Sequence, residues 1–576
     1  MTTHQRTETA SSNKAGDNVQ TQSGVSRRNF ISAAAMLAGA SAAGAPALMP
    51  RAAHAGFARG SSNMRRMIDA KDIRFQAANI HFRYSHGLSE QPVNGDDDRY
   101  AGESYYASFT KTMAHSSQGL VTPSAYEALL DAIATGDPAD FDAIPLDSSS
   151  AFALANPQGA YRFTFAGLDG QATRIAAAPS FRSAETAAEM GELYWQAITR
   201  DIPYVTFAAN RTVNEACDDL NAFSEAVGPV NGKGLIGPQT LFRGDLDGDT
   251  VGPYISQFLW KDIPYGPSLI EQKYPVPVAG DDFMVERADW MNILTGGAPV
   301  ESLQYESEKR YIYNARSLGE YVHGDVLFQA YFNAMLIAFG YGSSALNPGN
   351  PYRDIISNQG PFTSLGGPWM IDLLTQAGNL ALSGAWYQKW IAHRRLRPEV
   401  FGGRLDAHIN GEATYEIHPD LLNCEAVQRS HEVYGTYFLP MAYAEGSPTH
   451  PAYPAGHACV AGACATVLKA VFDETFVIPD PVIANRSGTA LSSYSGETLT
   501  LGGEFNKLAS NVSIGRDAAG VHYRSDGYQG ILCGEQQALA LLQDYSLGLN
   551  EYFGGFFFTL FDGTAVQVVD GQVIEI

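Results

Sequence analysis

The sequence predicts a mainly α fold, and three observations predict it. Apolar residues recur at three-to-four spacing through several long segments that hold few glycines or prolines. Strand patterns are few and short. Long Gly/Pro/Asn/Ser stretches separate the periodic segments and read as connections.

In chain order, the first 55 residues read as an address. Ser26-Arg27-Arg28-Asn29-Phe30-Ile31 sets a twin arginine before a mildly apolar stretch from Ile31 to Met49, and Ala53-His54-Ala55 supplies a small-residue cleavage pattern. The stretch resembles a twin-arginine export signal, diluted by Gly, Ala, Ser and Pro46 too far to be a membrane anchor. It predicts a protein exported to the periplasm or beyond the cell. Helical periodicity follows in Ser183 to Arg200, Ser302 to Phe339, Met370 to Arg397, Leu421 to Ala444 and Gly456 to Phe472. The stretches Gly340 to Pro368 and Asn485 to Gly503 read as long loops, of the kind that cover a site or a subunit contact. Ala565 to Ile576, with apolar runs around Asp570-Gly571, reads as a terminal hairpin.

Composition narrows the function. The 576 residues carry 38 Lys plus Arg against 61 Asp plus Glu, a net charge of −23, with 45% hydrophobic and 17% charged residues. Such a balance belongs to folded globular chains and excludes disorder as the main state. It repels phosphate backbones and anionic lipid, and no basic patch along the chain answers it, so nucleic acid and, once the signal is removed, membrane are excluded as partners. Removing residues 1–55, with five basic and two acidic residues, leaves −26. Any anion must therefore be bound locally. Cys217, Cys424, Cys459, Cys464 and Cys533 are too sparse for a disulfide scaffold and form no Cys-x-x-Cys pair; one or two bridges are compatible with an oxidising compartment, in no readable pairing.

Three segments carry chemistry. In Lys389-Trp-Ile-Ala-His393-Arg-Arg-Leu-Arg397-Pro398-Glu399, a helical pattern closes at a proline. Lys389, His393 and Arg397 then share one face over about 12 Å at 1.5 Å per residue, as cations converging on a ligand or as a solvated basic face. In Thr449-His450-Pro451-Ala452-Tyr453-Pro454-Ala455-Gly456-His457, two prolines hold an extended approach to a helix start whose free N–H groups suit an anion. The positive helix end favours a neutral, proton-accepting His457, although a capping turn with an incidental histidine has the same pattern. In Gly515-Arg516-Asp517-Ala-Ala-Gly520-Val521-His522-Tyr523-Arg524-Ser525-Asp526, Arg516 offers a planar fork for an oxyanion. Asp526, one helical turn beyond His522, is placed to hold one imidazole nitrogen and free the other, or to form a helix pair with no function. All three segments offer their groups to the same ligand, a tetrahedral oxyanion.

Together these segments resemble the three-part signature of vanadium-dependent haloperoxidases and the related acid phosphatases. They are most similar to the vanadium bromoperoxidases of algae and cyanobacteria, through Lys-Trp-x-x-His-Arg-x-x-Arg-Pro-Glu, His-Pro-x-Tyr-Pro-x-Gly-His-Ala and Gly-Arg-x-x-x-Gly-Val-His-Tyr. These motifs span roughly residues 385–530, and the stretch from Leu241 to Leu259 also looks similar to that family. The resemblance implies two helical bundles packed as one large unit, divided as an N-terminal helical region over 56–369 and a vanadate-binding bundle over 370–576. It implies His522 as the vanadium ligand with Asp526 behind it, and Lys389, Arg397, Arg516 and the Gly456 N–H neutralising vanadate. It further implies His457 as the acid/base for peroxide, Lys389 as the group that polarises peroxide, and His450 beside them where chloride-oxidising relatives carry Phe. The implied reaction oxidises bromide with hydrogen peroxide to hypobromous acid, which brominates small organic acceptors, in a protein that is a homo-oligomer. Asp245, Asp247 and Asp249 suggest a calcium loop, but a solvated acidic turn fits better, so a structural calcium is left unplaced.

One departure stands out: the family usually carries Ser where this chain has Ala455, so a hydroxyl donor to vanadate is missing and weaker binding is expected. The alternative is a phosphatase using His522 as nucleophile through a phospho-histidine. Against it, Lys389 and Arg397 are eight apart where phosphatases of this group usually have seven, and Gly515 stands where they usually have Ser. A catalytically silent binding protein would suit Ala455, but not an intact His457, Arg516 and His522.

Overall fold

The computed structural model describes residues 63–86, 90–225, 227–353 and 358–576. The twin-arginine stretch and its cleavage pattern lie outside the described residues. Helices dominate, and the ones that position the site are α1 (Asn63–His86), α2 (Ala184–Thr199), α3 (Ala315–Tyr321), α4 (Gln329–Phe339), α5 (Gly367–Tyr387), α6 (Pro398–Ile409), α7 (Gly456–Val471), α8 (Leu501–Ala518) and α9 (Arg524–Leu547). None of the described helices is long and apolar enough to cross a membrane.

Local chemistry sets most helix starts. Ser183 caps α2 by accepting from the Thr186 N–H, Asn314 caps α3 through a box with Ser317, and Thr500 caps α8 by accepting from the Gly503 N–H. Pro368 and Pro398 sit in the first turns of α5 and α6, where a missing N–H costs nothing.

The centre of the molecule is formed by α7 packed against α5, α8 and α9, with α9 also against α5 and α8. Helices α7 and α9 approach so closely that a Cβ on Gly462 would strike the Ile531 carbonyl and one on Gly534 the Cys459 carbonyl. One hydrophobic core cluster runs from Tyr100 to Val568 and so draws on both halves of the chain. A smaller cluster around Phe109, Tyr126 and Phe141 includes Trp390, in the turn that follows α5.

Strands are minor. Two-stranded antiparallel pairs join β1 (Ile263–Tyr265) to β2 (Ser268–Ile270) and β3 (Val482–Ala484) to β4 (Leu491–Ser493). The predicted terminal hairpin is β6 (Ala565–Val569) with β7 (Gln572–Glu575), in register Val568↔Val573. A strand not foreseen, β5 (Phe556–Thr559), joins it in the order β5-β6-β7 and buries Phe556 and Phe558 with Val566 and Val568.

Several expectations are corrected. Ser302 to Phe339 is not one helix: residues 302–314 are non-helical with isolated bridges, and Val322 to Phe328 separates α3 from α4. Leu421 to Ala444 breaks into Pro419–Asn423 and Glu425–Tyr434, which ends at Gly435 in the left-handed region, and then runs as loop. The helix through Lys389 does not close at Pro398. It passes into a wide π turn over Gln388–His393 and ends at Arg394 (φ 41°), and Pro398 opens α6 instead. Each of the five cysteines is buried and unbridged. In the acidic segment Asp245 and Asp247 are exposed but Asp249 is buried, its Oδ2 accepting from the Leu246 N–H (2.8 Å) and Ser510 Oγ (2.6 Å), so the turn is not simply solvated. No group of His, Cys, Asp and Glu suited to a metal ion occurs among the described residues.

Candidate active site

The three segments flagged by sequence converge, though not by the route expected for the first. Lys389 lies in the π turn, whereas Arg397 is the extended residue that precedes α6; the two meet through the intervening turn rather than along a helix face. His393 does not join them. It is buried against Gln388 Oε1 (3.1 Å) and the Tyr453 ring, with burial lowering its pKa to about 3.

Lys389 is fully buried, and its Nζ donates to the carbonyls of Pro451 (2.6 Å) and Ala452 (2.9 Å), which leaves one N–H. Arg397, equally buried, donates from Nε to the His450 carbonyl (2.9 Å), from Nη1 to the Val521 carbonyl (2.7 Å) and from Nη2 to His450 Nδ1 (3.0 Å), and its Nη1 lies against the His522 ring, 3.1 Å from Nε2 and 3.5 Å from Nδ1. Arg516 lies in the last turn of α8, donates from Nη1 to the Val322 carbonyl (2.6 Å), and faces the Tyr443 ring. Its buried Nε has no hydrogen-bond partner.

His522 is not on a helix with Asp526, as its spacing suggested. Gly520 (φ 85°) turns the chain out of α8, His522 sits in the following loop, and Asp526 stands in the first turn of α9, where Oδ2 accepts from the Tyr523 N–H (3.1 Å). The same Oδ2 faces His522 Nδ1 at 2.9 Å. Oδ2 already accepts from the Tyr523 N–H and faces the ring as an acceptor, which places the imidazole proton on Nδ1, toward Asp526, and leaves Nε2 as the lone-pair side. The backbone carbonyl of Asp526 also accepts from the Ala455 N–H (2.9 Å), tying the α9 start to the α7 start.

At α7, the first N–H groups from Gly456 onward have no intrahelical partner by helix geometry. Gly456 lies against Trp386 and Leu382 of α5, and Trp386 also packs on His450. His457 Nε2 lies 2.8 Å from Asp325 Oδ1, a residue the sequence reading missed because it falls inside the supposed long helix; Gly324 beside it was a sign of a break. Asp325 belongs to the strap Val322–Asp325 that also carries the Arg516 acceptor. Arg395, likewise missed, binds the second oxygen of Asp526 at 2.7 Å.

Electrostatics follow from crowding cations in a dry place. Burial, and next Arg397, hold Lys389 well below its ordinary pKa. Burial lowers Arg397 to about 10. Burial and then Arg397 and Lys389 depress His522, burial and then Lys389 depress His450, and burial and then Arg516 depress His457. All three imidazoles are thereby disfavoured in their charged form beside Lys389, Arg397 and Arg516. An unpartnered buried guanidinium nitrogen, a spare ammonium N–H and a free helix start form a donor set matched to a multiply charged oxyanion, so the residues fit vanadate.

Mainly helical architecture and this donor set, with one carboxylate-backed imidazole, form a candidate oxyanion-binding site. Residues 373–547 match the family described as the VCPO second helical-bundle domain. The chain is 35% identical over 492 residues to a vanadium-dependent bromoperoxidase of Ascophyllum nodosum, covering 80% of this chain and 86% of that protein. It is 32% identical to the vanadium-dependent bromoperoxidase of Corallina pilulifera, covering 86% of this chain and 97% of that one. A solved homohexameric vanadate-dependent bromoperoxidase from Ascophyllum nodosum superposes with a TM-score of 0.84 at 30% identity, covering 94% of this chain and 98% of that chain. The chain belongs to the vanadium-dependent haloperoxidase family.

Proposed function

We propose that this chain is a vanadium-dependent bromoperoxidase that oxidises bromide with hydrogen peroxide to hypobromous acid, which halogenates small organic acceptors. The observation that carries the reading is the convergence of Lys389, Arg397 and Arg516 with the α7 start around a neutral, Asp526-backed His522. When bound, vanadate supplies a Lewis-acidic vanadium(V) centre that activates peroxide toward halide without a change of oxidation state.

The chain's own groups do the rest. His522 offers Nε2 as ligand because Asp526 holds the proton on Nδ1. Lys389, Arg397, Arg516 and the Gly456 N–H balance the oxyanion's charge; the Lys389 N–H left over after its two carbonyls is also placed to polarise bound peroxide. His457, neutral and anchored through Nε2 to Asp325, presents Nδ1 as the base that takes a proton from incoming peroxide. His450, beside Trp386 and Arg397, supplies a polar wall where bromide approaches.

The test is a bromination assay on chain stripped of metal, with peroxide and bromide, before and after orthovanadate. Activity that appears with vanadate and is lost again in excess phosphate supports the reading. Hydrolysis of a phosphate ester without any bromination would replace it with a phosphatase in which His522 is the nucleophile. We also propose a homo-oligomer, supported by the homohexameric relative, and export by the twin-arginine route, supported by the sequence of residues 26–55.

A further inference from the structure

Behind Asp526 lies a second layer of charge that the reaction above does not use. Arg395 is buried, and its Nη1 donates to Asp526 Oδ1 (2.7 Å) and Ser525 Oγ (2.9 Å) while Nη2 donates to Glu189 Oε2 (2.8 Å). Its guanidinium carbon lies 3.8 Å from the centre of the Tyr523 ring, which closes the remaining side. Glu189 projects from α2, and its other oxygen accepts from the Ser525 N–H at the start of α9 (2.6 Å). The Arg395 carbonyl accepts from the Ala452 N–H (3.0 Å), on the approach to α7. The Arg395 side chain thus joins α2 to the start of α9, and its backbone ties in the approach to α7.

We propose that Arg395 is a positioning residue for His522: by fixing the Asp526 carboxylate it keeps the His522 proton on Nδ1 and Nε2 turned toward the oxyanion. The geometry requires such a device. An imidazole offers a lone pair at Nε2 only while its proton sits on Nδ1, and the carboxylate orientation selects that tautomer. With Oδ1 held by Arg395, only Oδ2 faces the ring, and the Tyr523 N–H holds Oδ2 from the other side. Without the guanidinium, Asp526 and Glu189 would be two buried carboxylates with no cation between them, an arrangement that rearranges rather than persists. Through Glu189 of α2, which shares Arg395 with Asp526, the N-terminal half of the chain helps to orient a group in the C-terminal half.

The inference rests on His522 being the vanadate ligand, and its test separates the two. The variants are Arg395→Met and Arg395→Lys in the full chain, with His522 assigned by the loss of its signals in His522→Ala. The first readout is the imidazole 15N spectrum of vanadate-free protein, which reports the tautomer whatever the cofactor proves to be. The second is the affinity for orthovanadate by calorimetry. Arg395→Met is expected to lose the single Nδ1–H signature and to bind orthovanadate about 10–100-fold more weakly, the range for loss of a partner behind a metal ligand. Arg395→Lys should recover part of both. A folded Met variant that keeps the parent 15N pattern and binds orthovanadate within about twofold of the parent overturns the proposal, because a purely structural role would leave the tautomer unmoved. Should the Met variant fail to fold, a folded Lys variant with parent spectrum and affinity overturns it equally. A parent chain that shows the Nδ1–H pattern but binds no orthovanadate contradicts the proposed function and leaves the Arg395 assignment to the spectra.

Discussion

At the residue scale the site is a problem of donors. Ala455 precedes α7 as its N-cap, buried and without a side-chain acceptor for the first turn. Ala455→Ser should add both a cap and a hydroxyl facing the oxyanion. A hydrogen bond to a charged acceptor is worth about 1.5–3 kcal/mol, so orthovanadate affinity measured by calorimetry should rise about 10–100-fold; no rise would mean that another group already fills that position. Asp325→Asn keeps the shape but removes the charge behind His457, and the bromination rate should fall about tenfold or more, within the factor of about 10²–10⁴ that a general base contributes. An unchanged rate would remove Asp325 from the account. Most of these residues were legible in sequence because Lys389, Arg397, Gly456, His457, Arg516, His522 and Asp526 sit in three dense local patterns. Asp325 and Arg395 were not. The first reaches His457 across 132 positions, and the second was one arginine among three neighbours with nothing to single it out.

At the element scale, helix existence was readable but helix ends were not. The segments behind α2 and α7 were placed to within a residue or two because a serine cap and a Pro-Ala-Gly approach mark their starts. The π turn at Gln388–His393 leaves no trace in apolar spacing, which runs on to Pro398 although the helix has already ended. The strap Val322–Asp325 was hidden by the apolar periodicity on both sides of it, and it holds two site residues at once. It is pinned by His323, which stacks on Tyr443 (3.8 Å) and pairs with Glu320 (3.2 Å) and Glu445 (2.6 Å). Burial alone would lower the His323 pKa, but the two glutamates together raise it from 6.5 to about 9. A raised folded-state value means that the contribution to stability is fully present below pH 6.5, declines as pH rises, and is gone above about 9. His323→Gln should therefore flatten the fall in thermal stability across that window, and a melting profile parallel to the parent would show that the clamp contributes nothing.

At the scale of the whole molecule, a chain of net charge −23 buries Lys389, Arg397 and Arg516 together where an anion must be held. Asp526 and Glu189 stand behind the ligand rather than beside the free donors, so the interior stays close to neutral without competing for the oxyanion. The helical architecture was legible from periodicity, whereas the joining of both halves into one core was expected from family resemblance; apolar spacing says which face is buried but not against what. The central claim is that these cations and His522 form a vanadate site. It is tested most directly by calorimetric titration of metal-stripped chain with orthovanadate, beside His522→Ala. One site per chain in the parent, weakened more than about a hundredfold in the variant, is the predicted result. Equal binding by both proteins would contradict it.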